Sequence, residues 1–118
     1  MKISGITVGL MVTDVEASAR WYERWLERTE PDLRPVDGVI EYDVGNGTWL
    51  QLGRDEVRPG STVVRFGVPD VRAEHRRIKG LGIAVEELIE VPGVITYFEF
   101  DDPDGHRLSC YTEEVGAV

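Results

Sequence analysis

The chain repeats itself, and that constrains its fold more than any other feature. Val12-Thr13-Asp14-Val15-Glu16-Ala17 returns 56 residues later as Val68-Pro69-Asp70-Val71-Arg72-Ala73. An apolar, strand-like run precedes each copy, Ile6 to Val12 and Thr62 to Val68. A helix-like run follows each copy, and each half closes on a short strand, Thr48 to Leu52 and Arg107 to Thr112. A chain of 118 residues suits one domain. The reading is therefore a single domain, 1–118, made of module one at about residues 4–53 and module two at about residues 61–114.

In the first half Val15, Ala19, Tyr22 and Leu26 recur at steps of three and four, which predicts a helix over 15–26 with one apolar face. Asp14 stands where a side chain can accept from the free N–H groups of the first turn, and Asp70 repeats that position. The second helix is predicted over 71–79, with Val71, Ile78 and either Ala73 or His75 on its apolar side. Gly80 and Gly82 supply its stop. Strand signals follow each helix. Val39 to Val44 leads into the hairpin turn Gly45-Asn46-Gly47, and Trp49 to Leu52 returns. Val94 to Phe100 leads into the turn Asp101-Asp102-Pro103-Asp104-Gly105, and Leu108 to Thr112 returns. The polar stretch Arg54 to Gly60 reads as the linker. Runs of strands after each helix, rather than strict alternation, predict an α+β protein.

Composition narrows the function classes. Net charge is −9 and is spread along the chain: residues 1–56 hold six basic and eleven acidic side chains, and residues 57–118 hold seven and eleven. Such a surface repels nucleic acid and anionic membranes and favours cationic ligands. The one cysteine, Cys110, excludes an intrachain disulfide. No apolar stretch approaches the ~18 residues that span a bilayer, and Met1-Lys2-Ile3-Ser4-Gly5 lacks the pattern of a signal peptide. A cytoplasmic location is expected, with no nucleic acid and no membrane as partners.

The order strand, Val-x-Asp-Val, helix bearing Trp21-Tyr22, then strands, resembles the vicinal-oxygen-chelate superfamily of glyoxalases, bleomycin-resistance proteins and extradiol dioxygenases. So does Phe100-Asp101-Asp102-Pro103-Asp104-Gly105-His106-Arg107-Leu108, whose Asp-Pro-Asp-Gly-x-x-Leu turn precedes the last strand. The resemblance covers residues 6–113. It implies tandem βαβββ modules forming a concave, incompletely closed sheet barrel around a shared pocket, with the helices outside. It also implies a homodimer and, in catalytic members, a divalent metal held by His, Glu or Gln on the first and last strands of each module.

Carried onto this sequence, those ligand positions fall on Thr7 and Gln51 in module one and on Val63 and Ser109 in module two. Val63 has no donor, and the others are neutral, whereas a divalent ion needs imidazole, carboxylate or thiolate to offset its dehydration. Neither histidine falls on a ligand position: His75 sits within a helix and His106 in a turn. No metal and no cofactor are expected.

Alternation along the strands puts Gly9 and Met11 on the face of Thr7, and Arg65 and Gly67 on the face of Val63. It pairs Trp49 with Gln51 and Tyr111 with Ser109. The resemblance turns Tyr97 and Glu99 inward, and it leaves the register of Glu41 open. The candidate binding set is therefore Trp49, Gln51, Arg65, Tyr97, Glu99, Ser109 and Tyr111, aromatic walls with a few polar points, the usual form of a small-molecule site. Trp21 and Trp25 are expected in core or dimer contacts, and Cys110 facing the helix layer as an inert thiol. Two functions are consistent with this set. One is a metal-free binding protein that sequesters a planar or cationic aromatic compound, such as an antibiotic. The other is a glyoxalase-like lyase, isomerase or transferase, with Glu99 as general base or with an atypical metal site.

Overall fold

The computed structural model describes residues 2–60 and 62–114. Its contacts divide the chain into two compact units, residues 1–58 and 59–118. In the first, β1 (Ile6–Val12) is followed by α1 (Val15–Leu26), β2 (Leu33–Val36), β3 (Val39–Gly45) and β4 (Thr48–Arg54). They form one open sheet in the order β1-β4-β3-β2, with β1 parallel to β4 and the other pairs antiparallel. In the second, β5 (Val63–Gly67), α2 (Val71–Gly80), β6 (Ile89–Val91), β7 (Ile95–Asp101) and β8 (Arg107–Glu113) repeat the plan as β5-β8-β7-β6. Each unit is thus one βαβββ module, and the fold is α+β.

The repeated Val-x-Asp-Val segment is a strand-to-helix corner. Asp14 accepts from the Ala17 N–H at 3.0 Å, and Asp70 from the Ala73 N–H at 3.1 Å, each from extended backbone. These bonds satisfy first-turn donors that have no partner inside the helix. Val15 and Val71 directly follow the caps and are buried. In module two the corner is tied further by Thr112, whose hydroxyl accepts from Val71 N–H and donates to the Val68 carbonyl.

Each helix covers one face of its own sheet. Val15, Ala19, Tyr22 and Trp25 of α1 are buried, as are Val12, Ile40, Tyr42, Leu50 and Leu52 of the sheet. The Trp21, Tyr22 and Trp25 rings meet at centroid distances of 5.0 to 6.0 Å, and Trp25 belongs to this core. The Tyr42 hydroxyl donates to Glu23 of α1 at 2.7 Å. Burial, then that carboxylate, raises its pKa well above the ordinary value. In module two, Val71 and Ile78 of α2 are buried, with Phe98, Phe100, Leu108 and Cys110 of the sheet. Ala73 and His75 are both half-buried. The His75 ring stands edge-on to Phe98, and its Nε2 lies 2.9 Å from the Glu86 carbonyl.

Both hairpin turns form where expected. Gly45, Asn46 and Gly47 all take positive φ (96°, 54° and 71°), a run that only Gly and Asn accept readily. In the second turn Asp102 is buried, and its carboxylate accepts from the Asp104 and His106 N–H groups at 2.9 and 2.8 Å. This aspartate closes the turn by side chain to backbone bonding, and its burial is compensated.

The boundaries differ from the expectations at several points. Thr62 and Val68 lie outside β5, and Arg54 belongs to β4, paired with Val12, rather than to the linker. Helix α2 extends one residue further, through Gly80. Strands β2 and β6 carry little individual signal, since β2 contains Pro35 and β6 has three residues. Both are sheet edges, where a missing N–H is tolerated. Among the described residues, no helix is long and apolar enough to cross a membrane.

Candidate functional site

Cross-strand register decides which side chains share a face. With Leu50, Leu52, Ile40 and Tyr42 against α1, the residues alternating with them turn to the opposite, helix-free face of the sheet. Three rows cross that face in module one: Thr7, Trp49 and Asp43; Gly9, Gln51 and Glu41; Met11, Gly53 and Val39. The corresponding rows in module two are Val63, Arg107 and Asp101; Arg65, Ser109 and Glu99; Gly67, Tyr111 and Tyr97.

Every residue of the sequence-derived binding set lies in these rows. Trp49 is half-buried and turned away from α1, so it is not part of the helix-packed core. The register that the sequence left open for Glu41 is resolved: it stands beside Gln51, whose Nε2 donates to Glu41 Oε2 at 3.1 Å.

Module two carries a denser polar group. Arg65 donates to the Ser109 hydroxyl at 2.9 Å and pairs with Glu99 Oε2 at 3.0 Å. Its guanidinium carbon lies 5.0 Å from the centre of the Tyr97 ring, a cation–π distance. Ser109 is wholly buried. The second oxygen of Glu99 accepts from Arg107 at 3.1 Å, and Arg107 also binds Asp101 and Glu86. Those carboxylates, Asp101 first and Glu99 next, raise the Arg107 pKa still higher. Glu99 is therefore held between two guanidinium groups, one on each oxygen. Arg107 was not among the residues expected here. Its shared strand parity with Ser109 and Tyr111 was the signal that could have found it.

Cys110 faces α2 and is buried, and burial pushes its thiol up to about 12. It is a packing residue, as its parity indicated.

The positions that the resemblance assigns to a metal do not fit one. Val63 has no donor atom. The Gln51 amide is engaged with Glu41, and the Ser109 hydroxyl accepts from a cation, Arg65, that would repel a metal ion. Thr7 adds only a neutral hydroxyl. Among the described residues, no group of three or more His, Cys, Asp or Glu side chains is placed to hold a metal. His106 stays in the turn after β7, and His75 on α2.

No protein-family model matches the chain, and no curated protein matches it. Solved structures do match in fold. The antibiotic-binding protein TnmS3 from Streptomyces sp. CB03234 superposes with a TM-score of 0.80 at 23% identity, covering 96% of this chain and 98% of its own. A glyoxalase/bleomycin resistance protein from Catenulispora acidiphila DSM 44928 gives 0.77 at 19% identity, covering 92% and 96%. A lactoylglutathione lyase from Agrobacterium tumefaciens gives 0.77 at 18% identity, covering 96% of each chain. All of these chains match over nearly their whole length.

Proposed function

We propose that this chain, which has the fold of the vicinal-oxygen-chelate superfamily, is a small-molecule binding protein that works without a metal and sequesters a planar aromatic compound such as an antibiotic. One observation carries the reading: the helix-free sheet face of module one bears Trp49 and that of module two bears Tyr97 and Tyr111, each beside fixed polar groups, and the residues at the metal positions do not together make a metal site. Aromatic faces stack on planar ligands, and anchored polar groups orient them. The likeness in fold to an antibiotic-binding protein supports the same direction.

The lyase-like alternative has less support. A general base needs an accessible lone pair within reach of the substrate proton, and both Glu99 oxygens are engaged by arginines. Glu99 serves better as the anchor that holds Arg65.

A thermal-shift screen tests the proposal, because a ligand that binds only the native state raises Tm. Planar aromatic antibiotics are expected to raise it. Trp49→Ala or Tyr97→Ala should then weaken binding by roughly tenfold, the worth of one stacked aromatic contact. A blank result across cationic, neutral and acidic planar compounds would overturn the reading.

A further inference from the structure

We infer that Arg65 selects the ligand by an acidic oxygen, so that the compound taken up is a planar aromatic acid (a carboxylate, or an acidic phenol or enol) rather than a cation. The inference rests on the binding reading above and settles the ligand charge that it leaves open.

Arg65 is fixed from three sides: the Ser109 hydroxyl at 2.9 Å, Glu99 Oε2 at 3.0 Å and the Tyr97 ring at 5.0 Å. A guanidinium carries five N–H donors in a rigid plane. Two nitrogens meet these partners, and N–H groups are left over on a side chain that is still 40% exposed. A donor fork already held in place loses little freedom on binding and matches a carboxylate or enolate edge. Its contact with Tyr97 puts that fork beside an aromatic platform.

Glu99, the group that could attract a cation, is committed. It is 17% exposed, and each of its oxygens meets a different arginine. Arg107 draws on two further carboxylates, Asp101 and Glu86, whereas among the described residues Arg65 pairs with Glu99 alone. The guanidinium that remains short of negative charge is therefore Arg65. Module one has Gly9 at the same row position and offers no such group.

The chain's net charge of −9 argues the other way. That surface field is screened over about 8 Å at physiological ionic strength. A direct contact with a half-buried guanidinium is screened far less, so the local group decides at the site.

The test uses three probes of one shape, 2-naphthoate, 2-naphthamide and 2-naphthylmethylammonium, titrated calorimetrically into the intact protein at 0.15 M salt. Wild-type protein is expected to bind naphthoate at least tenfold tighter than naphthamide, with the ammonium weakest. In Arg65→Gln the preference for naphthoate over naphthamide should fall to near one, and Arg65→Lys should keep part of it. If wild-type protein binds the amide or the ammonium as tightly as the acid, the inference fails and the binding reading stands. An unchanged preference in folded Arg65→Gln also overturns it. Binding of none of the three overturns it too and, together with a blank antibiotic screen, removes the binding reading as well.

Discussion

The two modules share topology, caps and strand register, yet their helix-free faces are built in opposite senses. In each module the first and last strands lie parallel, and two of their rows pair a large side chain with a small one. In module one, Gln51 of β4 leans over Gly9 of β1; in module two, Arg65 of β5 reaches over Ser109 of β8. In the next row, Met11 of β1 covers Gly53, with its methyl 3.1 Å from where a Gly53 Cβ would stand. The counterpart in module two is reversed, with Tyr111 of β8 lying over Gly67 at 3.0 Å. Volume in each row is held while the strand that supplies it changes. On the helix-covered faces the pair Leu10–Leu52 is matched by Phe66–Cys110, a larger side chain on one strand beside a smaller one on the other, so apolar character and total volume are kept as a packed core requires. The duplication has thus kept one face for folding and let the other diverge in chemistry: a Gln51–Glu41 pair with Trp49 in module one, an arginine–carboxylate group with two tyrosines in module two.

The sharpest test of this division compares neighbours on one strand. Phe98 is fully buried against the α2 side, and Tyr97, next to it on β7, faces the other way. Phe98→Ala should cost about 3–5 kcal/mol by loss of burial and creation of a cavity. Tyr97→Ala should cost about 1 kcal/mol or less, mainly its contact with Arg65. Urea denaturation of both variants measures the difference, and equal losses would mean that the two faces are not divided in this way.

The helix-covered half of each module was legible in the sequence because it follows from periodicity and capping. Asp14 and Asp70, the three-and-four spacing of α1 and the Gly45-Asn46-Gly47 turn are local signals, readable without knowing the sheet. Edge strands β2 and β6 were not individually legible, because an edge needs neither strict alternation nor an unbroken set of N–H donors, and Pro35 breaks the pattern. The positions of Gln51, Val63 and Ser109 were legible only through the family resemblance, and alternation from them then placed Trp49 and Arg65 on the same faces. The pairing between strands was not, since nothing local says that Glu41 stands opposite Gln51, or that Arg107 joins Glu99 from the next strand. Those contacts depend on register between segments far apart in sequence.

The covered faces also predict an alkaline weakness from each module. Cys110 of β8 occupies the place that Leu52 holds in β4, so module two buries a titratable thiol where module one buries a hydrocarbon. The folded thiol titrates near 12, above its ordinary 9.0, so at pH between these values the native state keeps a proton that the unfolded chain has released. Stability from this residue is complete below pH 9 and declines as pH rises toward 12, by roughly 2–4 kcal/mol in all. Tyr42 acts in the same sense from module one, beginning above its ordinary 10.0. Denaturation of wild type, Cys110→Ala and Tyr42→Phe between pH 8 and 11 should show a shallower decline in each variant. A decline as steep in Cys110→Ala as in wild type would remove the thiol from this account.

The smallest expected effect concerns the two glutamates that occupy matching rows, Glu41 and Glu99. Glu41 accepts from an amide, a role that glutamine can also fill, so Glu41→Gln should change stability by about 0.5 kcal/mol or less. Glu99 compensates two arginines that are 40% and 33% exposed, and Glu99→Gln leaves both without it. Partial exposure screens the loss, which should come to about 1–2 kcal/mol at low salt. Because only the second loss is between charges, 1 M salt should narrow the gap between the two variants, with a Debye length cut to about 3 Å. A gap that persists at high salt would assign Glu99 to packing rather than to charge. The contrast between the modules would then be one of shape alone, and the selection of an acidic ligand by Arg65 would lose the anchor it depends on.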